Sequence, residues 1–477
     1  MIKRTKIFLI LIIVIHNYCV SQIYDPATPY SLRNKLKFSY EIPTYYINDF
    51  IDEKYIKEDS IKFISNRFAI KTKINIDVKK EGLITKITEG KIWRYRIIAS
   101  RCKGIGIRFS QFYIPDGSML FLYDNNYRHL LGAYTSANNK EDGFFAVQHI
   151  QSDECIIEYF EPNDVQTEGN IYIDYVSLAY KDISYIINQY NDVNCPEWNE
   201  WQIVKHSVCR ILYDDTDGSY YCTGSLINNT KFDGTPYFLT ANHCINKNLS
   251  AQSVIAYFNY ETDTCNGNLK TPLQTISGAD LLLHATETDF SLIKFRELPP
   301  DSYYPFYSGW DNSRRIPNTT SVIHHPEALQ KSISESKIKP HYYEYSISWD
   351  DGSTTPPYSH WEVTFTNGTT NSGSSGAPLF NEQQQIIGQL HGGDNVTNYY
   401  GSFSVSWSLT TSTNTLKTFL DPINSGLTSI KGTRGKANFT FSPLKPCKYG
   451  TVILSPYNKE NFTSYKWIIN PNSFYFD

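Results

Sequence analysis

What this 477-residue chain lacks already narrows its role. No apolar run near its start approaches the ~20 residues a bilayer-spanning helix needs; Ile7 to Ile15 falls far short. It has no dense Lys/Arg stripe and no excess of one charge, with 44 basic residues against 48 acidic ones. That balance argues against a nucleic-acid binder. No internal repeat is evident either. What remains at the start is Lys3, Arg4 and Lys6, then the short apolar run, then Cys19, Val20 and Ser21 before Gln22. This is the grammar of a secretory signal peptide over 1–21, with no membrane span in the mature chain. Bulky Tyr18 argues against lipidation at Cys19. Setting Cys19 aside, eight of the nine cysteines remain, an even number that suits an oxidising compartment. A secreted or cell-surface location is expected.

The remaining length suits two or three domains. Thirty-seven tyrosines, with many isoleucines and asparagines, favour strands. Residues 22–190 read as one β-rich region. Trp93, Tyr95 and Ile97 alternate with Arg94 and Arg96, and Pro115-Asp-Gly117 is a turn before Met119–Tyr123. Repeated short strands predict a β-sandwich, with Ile47 to Asn66 more helical. A second region, 191–431, carries short apolar strands at Tyr237–Thr240, Val254–Phe258 and Ile386–Leu390. Phe403, Val405, Trp407 and Leu409 alternate with Ser402, Ser404, Ser406 and Ser408, which predicts a further strand, and Leu416–Leu420 predicts a helical turn. Residues 432–477 read as a linker and a partial β module.

Three segments of the second region carry chemistry. Thr240-Ala-Asn-His243-Cys244, Thr288-Asp289 and Gly373-Ser374-Ser375-Gly376 supply, in this order, a histidine, an aspartate and a glycine-flanked serine. A serine hydroxyl is a weak nucleophile at neutral pH. It needs an imidazole to take its proton and an acid to hold that imidazole in the right tautomer. Singly, each segment has a plainer reading: Gly-Ser-Ser-Gly as a flexible loop, His243 as a buried histidine beside Cys244, Asp289 as a turn residue. His324-His325 invites a zinc site, but adjacent residues of a strand face opposite ways, which favours structural histidines.

Around these segments lie Cys222-Thr-Gly-Ser-Leu-Ile-Asn-Asn229, Gly309-Trp-Asp311, Ile323-His-His-Pro326, Gly388-Gln-Leu-His-Gly-Gly393 and Phe419-Leu-Asp-Pro422. From roughly Asn191 to Gly426 the chain resembles the trypsin-like serine proteases, and within them the bacterial lysyl endopeptidase family. The resemblance implies an all-β fold with a chymotrypsin-like double β-barrel, and peptide-bond hydrolysis of polypeptide substrates without metal or cofactor. It implies His243 as general base, Asp289 as its partner and Ser375 as nucleophile, with Ser374 pointing elsewhere. The N–H groups of Gly373 and Ser375 would form the oxyanion hole. Cys222–Cys244 and Cys195–Cys265 are the implied disulfides, and Cys102 with Cys155 is a further candidate pair. Trp349 and His391 would flank the cleft, although Trp349 also fits ordinary packing, and Leu390 to Gly392 would pair with substrate backbone.

Two departures bear on specificity. Family members that cut after lysine carry an acidic residue where this chain has Asn398. Asp394 either substitutes for that acid or is an exposed loop carboxylate. The loop also lacks a cysteine found in relatives. Ser374 stands where digestive relatives have the aspartate that captures a new amino terminus, so that switch is not expected. The upstream region resembles a pro-region, an intramolecular chaperone or inhibitor cut off between about Tyr180 and Cys195. The competing expectation is a catalytically silent protease-fold protein serving binding or adhesion at the cell surface.

Overall fold

The computed structural model describes residues 28–33, 42–62, 64–182, 189–270, 273–394, 396–409, 414–434, 439–442 and 453–456. The expected signal segment and most of the expected tail module lie outside these. Among the described residues, no helix is long and apolar enough to cross a membrane.

Residues 42–182 form two facing sheets. One orders Thr44–Tyr46, Gly90–Ile98, Glu154–Pro162, Met119–Tyr123 and Leu130–Tyr134, and the other holds Arg67–Asp77, Asn170–Ala179 and Gly104–Tyr113. Alternation puts Trp93, Tyr95 and Ile97 of the first sheet against Ile74, Ile107, Ile173 and Val176 of the second, in one continuous core. The expected half-polar face is absent at Arg94, which is buried as well. The helix foreseen near residue 50 spans Asp52–Lys62. Cys102 and Cys155 line the same core as free thiols, which corrects their pairing. Cys155 sits in the strand ladder opposite Ile97, while the Cys102 thiol donates to the Ser152 carbonyl at 3.8 Å. Burial pushes the Cys102 thiol up to about 12, so it stays protonated.

Residues 189–434 build two barrels. The first runs through Val208–Asp214, Gly218–Leu226, Tyr237–Ala241, Phe290–Phe295 and Ala279–Ala285, with Ile255–Phe258 and Gln274–Ser277 on its other flank. Gly278, at φ +82°, joins the last two strand segments before Phe290. The second barrel orders Ser332–Ser336, Thr320–His324, Pro378–Asn381, Ile386–Gly393, Thr397–Ser402 and His360–Thr364. It closes where the N–H of Thr366 reaches the Glu335 carbonyl. Trp361, Val363, Leu379, Leu390 and Tyr400 fill it. Both implied disulfides, Cys195–Cys265 and Cys222–Cys244, are formed.

The strand expected over Ser402–Leu409 is not one. The strand stops at Ser402 and a short helix covers Phe403–Ser406. Serine is neutral in a period-two count, and here Ser406 Oγ donates back to the Ser402 carbonyl at 3.0 Å, a helical contact. Phe403 and Trp407 then both pack on Trp310. The helical turn Leu416–Leu420 is present, and Phe439–Ser442 pairs with Ile453–Pro456 in the tail.

The two halves share a sheet. Gly218–Tyr220 of the first barrel pairs with Arg67–Ile70 of the upstream region. Across this seam Arg108 donates to both oxygens of Asp214, at 2.6 and 3.1 Å, with both side chains essentially fully buried.

Candidate active site

His243 follows the strand Tyr237–Ala241 in a tight turn, stapled by its neighbour Cys244 to Cys222. Asp289 sits between the paired strands Ala279–Ala285 and Phe290–Phe295, 2 % exposed, at φ +55°. Asp and Asn enter that left-handed region more readily than other side-chain-bearing residues, and strained residues cluster at functional sites. The turn aims the carboxylate inward. Oδ1 accepts from the His243 backbone N–H and Oδ2 lies 2.8 Å from Nδ1 of the same residue. The Asp289 carbonyl also accepts from the N–H of Asn242. One aspartate therefore fixes both the chain and the ring of His243. Burial of the ring works against a positive charge, but the Asp289 carboxylate and its hydrogen bond prevail and raise the pKa of His243.

The Gly373–Gly376 loop is stitched into the junction of the barrels. Thr223, next to Cys222, donates its hydroxyl to the Gly373 carbonyl at 2.8 Å and its N–H to the Ser375 carbonyl at 2.9 Å. From the second barrel, the Leu390 carbonyl accepts from the N–H of Gly376. Gly376 has φ +81°, and a Cβ there would lie 2.3 Å from Thr240 Oγ1 and 2.7 Å from the Ala241 nitrogen. Only glycine lets the loop approach the residues leading to His243 this closely. Ser375 is thus brought beside the His243 turn, half-buried. Its hydroxyl makes no hydrogen bond among the described residues.

Two carbonyls set the direction of the N–H groups of Gly373 and Ser375. The Ser372 carbonyl accepts from Glu327 and the Ser374 carbonyl from Ala377, which turns the N–H groups of Gly373 and Ser375 the opposite way. Ser374 is tied elsewhere, as expected: its Oγ lies 2.7 Å from Nδ1 of His324 and accepts from the Asn371 N–H. His324 is fully buried, which pushes its pKa down to about 3 and keeps it neutral. The sequence singled out His324 without its partner, because 50 residues separate the pair. Neighbouring His325 bonds the Leu329 carbonyl through Nδ1.

The flanking residues also have definite places. The rings of Trp349 and His391 stack at 3.5 Å, and His391 in turn faces His243 at 5.6 Å. Leu390, expected to pair with substrate together with His391 and Gly392, instead gives its N–H to the Ala377 carbonyl and its carbonyl to the Gly376 N–H, which corrects that expectation and starts the open edge one residue later, at His391. His391 sits in a bulge, and Gly392 and Gly393 pair with Tyr399 and Asn398. Asn398 is buried, accepts a hydrogen bond from the Thr370 hydroxyl, and its amide nitrogen has no partner among the described residues. Asp394 is exposed and spends Oδ1 on the N–H groups of Val396 and Thr397, so it is the loop carboxylate of the two alternatives. Among the described residues, two groups have metal-like donor sets, Cys222 with His243 and Cys244, and His243 with Asp289 and His391. In the first the thiols are spent in a disulfide, and in the second Asp289 already holds His243 with both oxygens.

Two barrels with an Asp–His pair and a glycine-flanked serine at their junction define a trypsin-like, chymotrypsin-fold serine protease scaffold. Residues 188–403 match the family described as lysyl endopeptidase, C-terminal domain, and through this region the chain is related to the lysyl endopeptidases. A curated lysyl endopeptidase of Pseudomonas aeruginosa is 30% identical over 186 residues, covering 37% of this chain. The chain spans only 38% of that relative's length. Among solved structures, the Rv3671c protease of M. tuberculosis in its active form is similar at 14% identity and a TM-score of 0.32, covering 47% of this chain and 86% of its own. The thermostable serine protease AL20 from an extremophilic microorganism is similar at 12% identity and a TM-score of 0.31, covering 42% and 93%.

Proposed function

We propose that the chain is a secreted serine endopeptidase that cleaves polypeptides through an acyl-enzyme at Ser375. The observation that carries this reading is the double clamp of Asp289 on His243 beside the loop that presents Ser375. His243 Nε2 takes the Ser375 proton as Oγ attacks the scissile carbonyl carbon. The oxyanion forms against the N–H groups of Gly373 and Ser375. His243 then returns the proton to the departing amine, and water repeats the sequence on the ester. Substrate backbone extends the sheet along 391–393, with Trp349 and His391 as a wall.

Asn398 bears on which bond is cut. A buried amide offers a hydrogen bond and no charge, so a lysine ammonium at that place lacks its counter-charge. Neutral polar side chains suit it better. The upstream region acts as a docked pro-region whose segment 65–66 borders the site. Tyr221 touches the Gly373 position and bonds the Asn66 and Ser65 carbonyls.

A second reading, a binding protein on the same scaffold, draws on the unbonded Ser375 hydroxyl and on Asn398. A fluorophosphonate probe separates the two. Labelling at Ser375 that disappears in His243→Ala supports the enzyme; no labelling, even after cleavage between Tyr180 and Cys195, supports the binder.

A further inference from the structure

His391 is part of a longer chain of hydrogen bonds whose polarity can be read from its far end. Its Nδ1 lies 3.0 Å from Nε2 of His360, a residue 1% exposed at the start of the strand His360–Thr364. The other nitrogen of His360, Nδ1, lies 2.7 Å from the hydroxyl of Ser359. That hydroxyl donates to the Pro356 carbonyl at 2.6 Å.

A carbonyl only accepts, so the single Ser359 proton is committed to Pro356. The Ser359 oxygen must then accept from Nδ1–H of His360. Burial pushes His360 down to about 3, so the ring is neutral and its Nε2 is a bare acceptor. It follows that His391 donates through Nδ1–H. His391, likewise held down to about 3 by burial, is neutral and its Nε2 is also bare. This bare nitrogen faces Asp289 Oδ2 at 3.8 Å, one acceptor opposite another. The titratable groups facing His391 are Asp289, His243 and His360. The opposite tautomer would set two lone pairs 3.0 Å apart between His391 and His360 in a buried place, which is costly.

We propose that His360 is a positioning residue of the active site, holding His391 as its Nδ1–H tautomer so that Asp289 is reserved for His243. Were His391 free to carry its proton on Nε2, it would donate to the same Asp289 oxygen that orients His243. The aspartate's charge would then be shared between two rings and His243 would become a weaker base. The stacked His391 would otherwise serve as a neutral wall, adding no positive charge beside the imidazolium that forms during turnover.

The proposal rests on the protease reading, and its test has an arm that does not need turnover. In the full chain bearing Ser375→Ala, the His243 ring is titrated by NMR with His360 intact, as His360→Phe and as His360→Gln. Phe keeps the bulk and removes the acceptor, whereas the Gln side-chain oxygen can still accept from His391. The expected result is a lower His243 pKa in His360→Phe and a value near the parent in His360→Gln. In the active chain, His360→Phe should lower kcat/KM by about tenfold, mostly in kcat. Its acid limb should move to lower pH. In a His391→Phe background the same change should have no further effect. An unchanged His243 titration in His360→Phe, or effects of His360→Phe and His391→Phe that simply add, would overturn the proposal. Should His360→Phe not fold, His360→Gln and His360→Ala carry the same comparison.

Discussion

Asp289 gives both carboxylate oxygens to one residue, and the consequences belong to single side chains. Asp289→Asn keeps the shape but offers an N–H where His243 Nδ1–H needs an acceptor, which favours the wrong tautomer. By analogy with the general behaviour of such triads, kcat should fall about 10⁴-fold, measured by single-substrate kinetics. His243 must be neutral to accept a proton, and Asp289 raises its pKa. Activity should therefore switch on with rising pH through a midpoint above the ordinary histidine value of 6.5, and a kcat/KM profile checks this. Asn398→Asp places a charge where the amide is buried. Cleavage after lysine should gain about 10- to 100-fold over the parent, the worth of one charge-assisted hydrogen bond, in a matched peptide panel. The Asp289–His243 pairing was legible because a histidine, an aspartate and a glycine-flanked serine in that order are what an activated serine needs. The Thr370–Asn398 and His324–Ser374 bonds were not, since each joins residues about 30 or 50 positions apart.

At the scale of elements, glycine and serine separate what the sequence discloses from what it conceals. Gly376 was readable as part of a pattern, but its necessity lies in the approach to Thr240 and Thr223, where a Cβ would come within 2.3 and 2.4 Å. Gly376→Ala should therefore push the nucleophile loop off the His243 strand. The expected outcome is a loss of at least 10²-fold in labelling by a fluorophosphonate, together with a lowered melting temperature. The segment after Ser402 shows the opposite case. Alternating serines satisfied a strand pattern, while the aromatic contacts of Phe403 and Trp407 with Trp310 required a helical turn. Those contacts span some 90 residues and leave no local trace. The β-sandwich upstream was legible in type, through Trp93, Tyr95 and Ile97. Its buried Arg94 was not, because burial of the second face comes from packing outside the strand.

At the scale of the molecule, the upstream region is built into the first barrel. Arg108 and Asp214 are 0% and 2% exposed, and Asp214 also accepts from Tyr175 and Ser219. Removing one partner leaves a buried unpaired charge, so Asp214→Ala should cost about 3–5 kcal/mol in stability by chemical denaturation. The pair was invisible in the sequence, where 106 residues separate its members. If the chain is cut between Tyr180 and Cys195, the upstream fragment should still co-elute with the catalytic part on gel filtration. Separation of the fragments at low micromolar concentration would refute a tight dock.

The shared strand ladder carries one more consequence. In Gly218–Tyr220 the first barrel has a border that its own strands do not complete, and Arg67–Ile70 completes it. Without that neighbour the hairpin shows solvent a row of unpaired N–H and C=O groups, the surface on which chains add to one another. The upstream region thus serves as a hem. A catalytic half produced without it is expected to cling to its own copies, and supplying the upstream half as a separate chain should return it to the monomer.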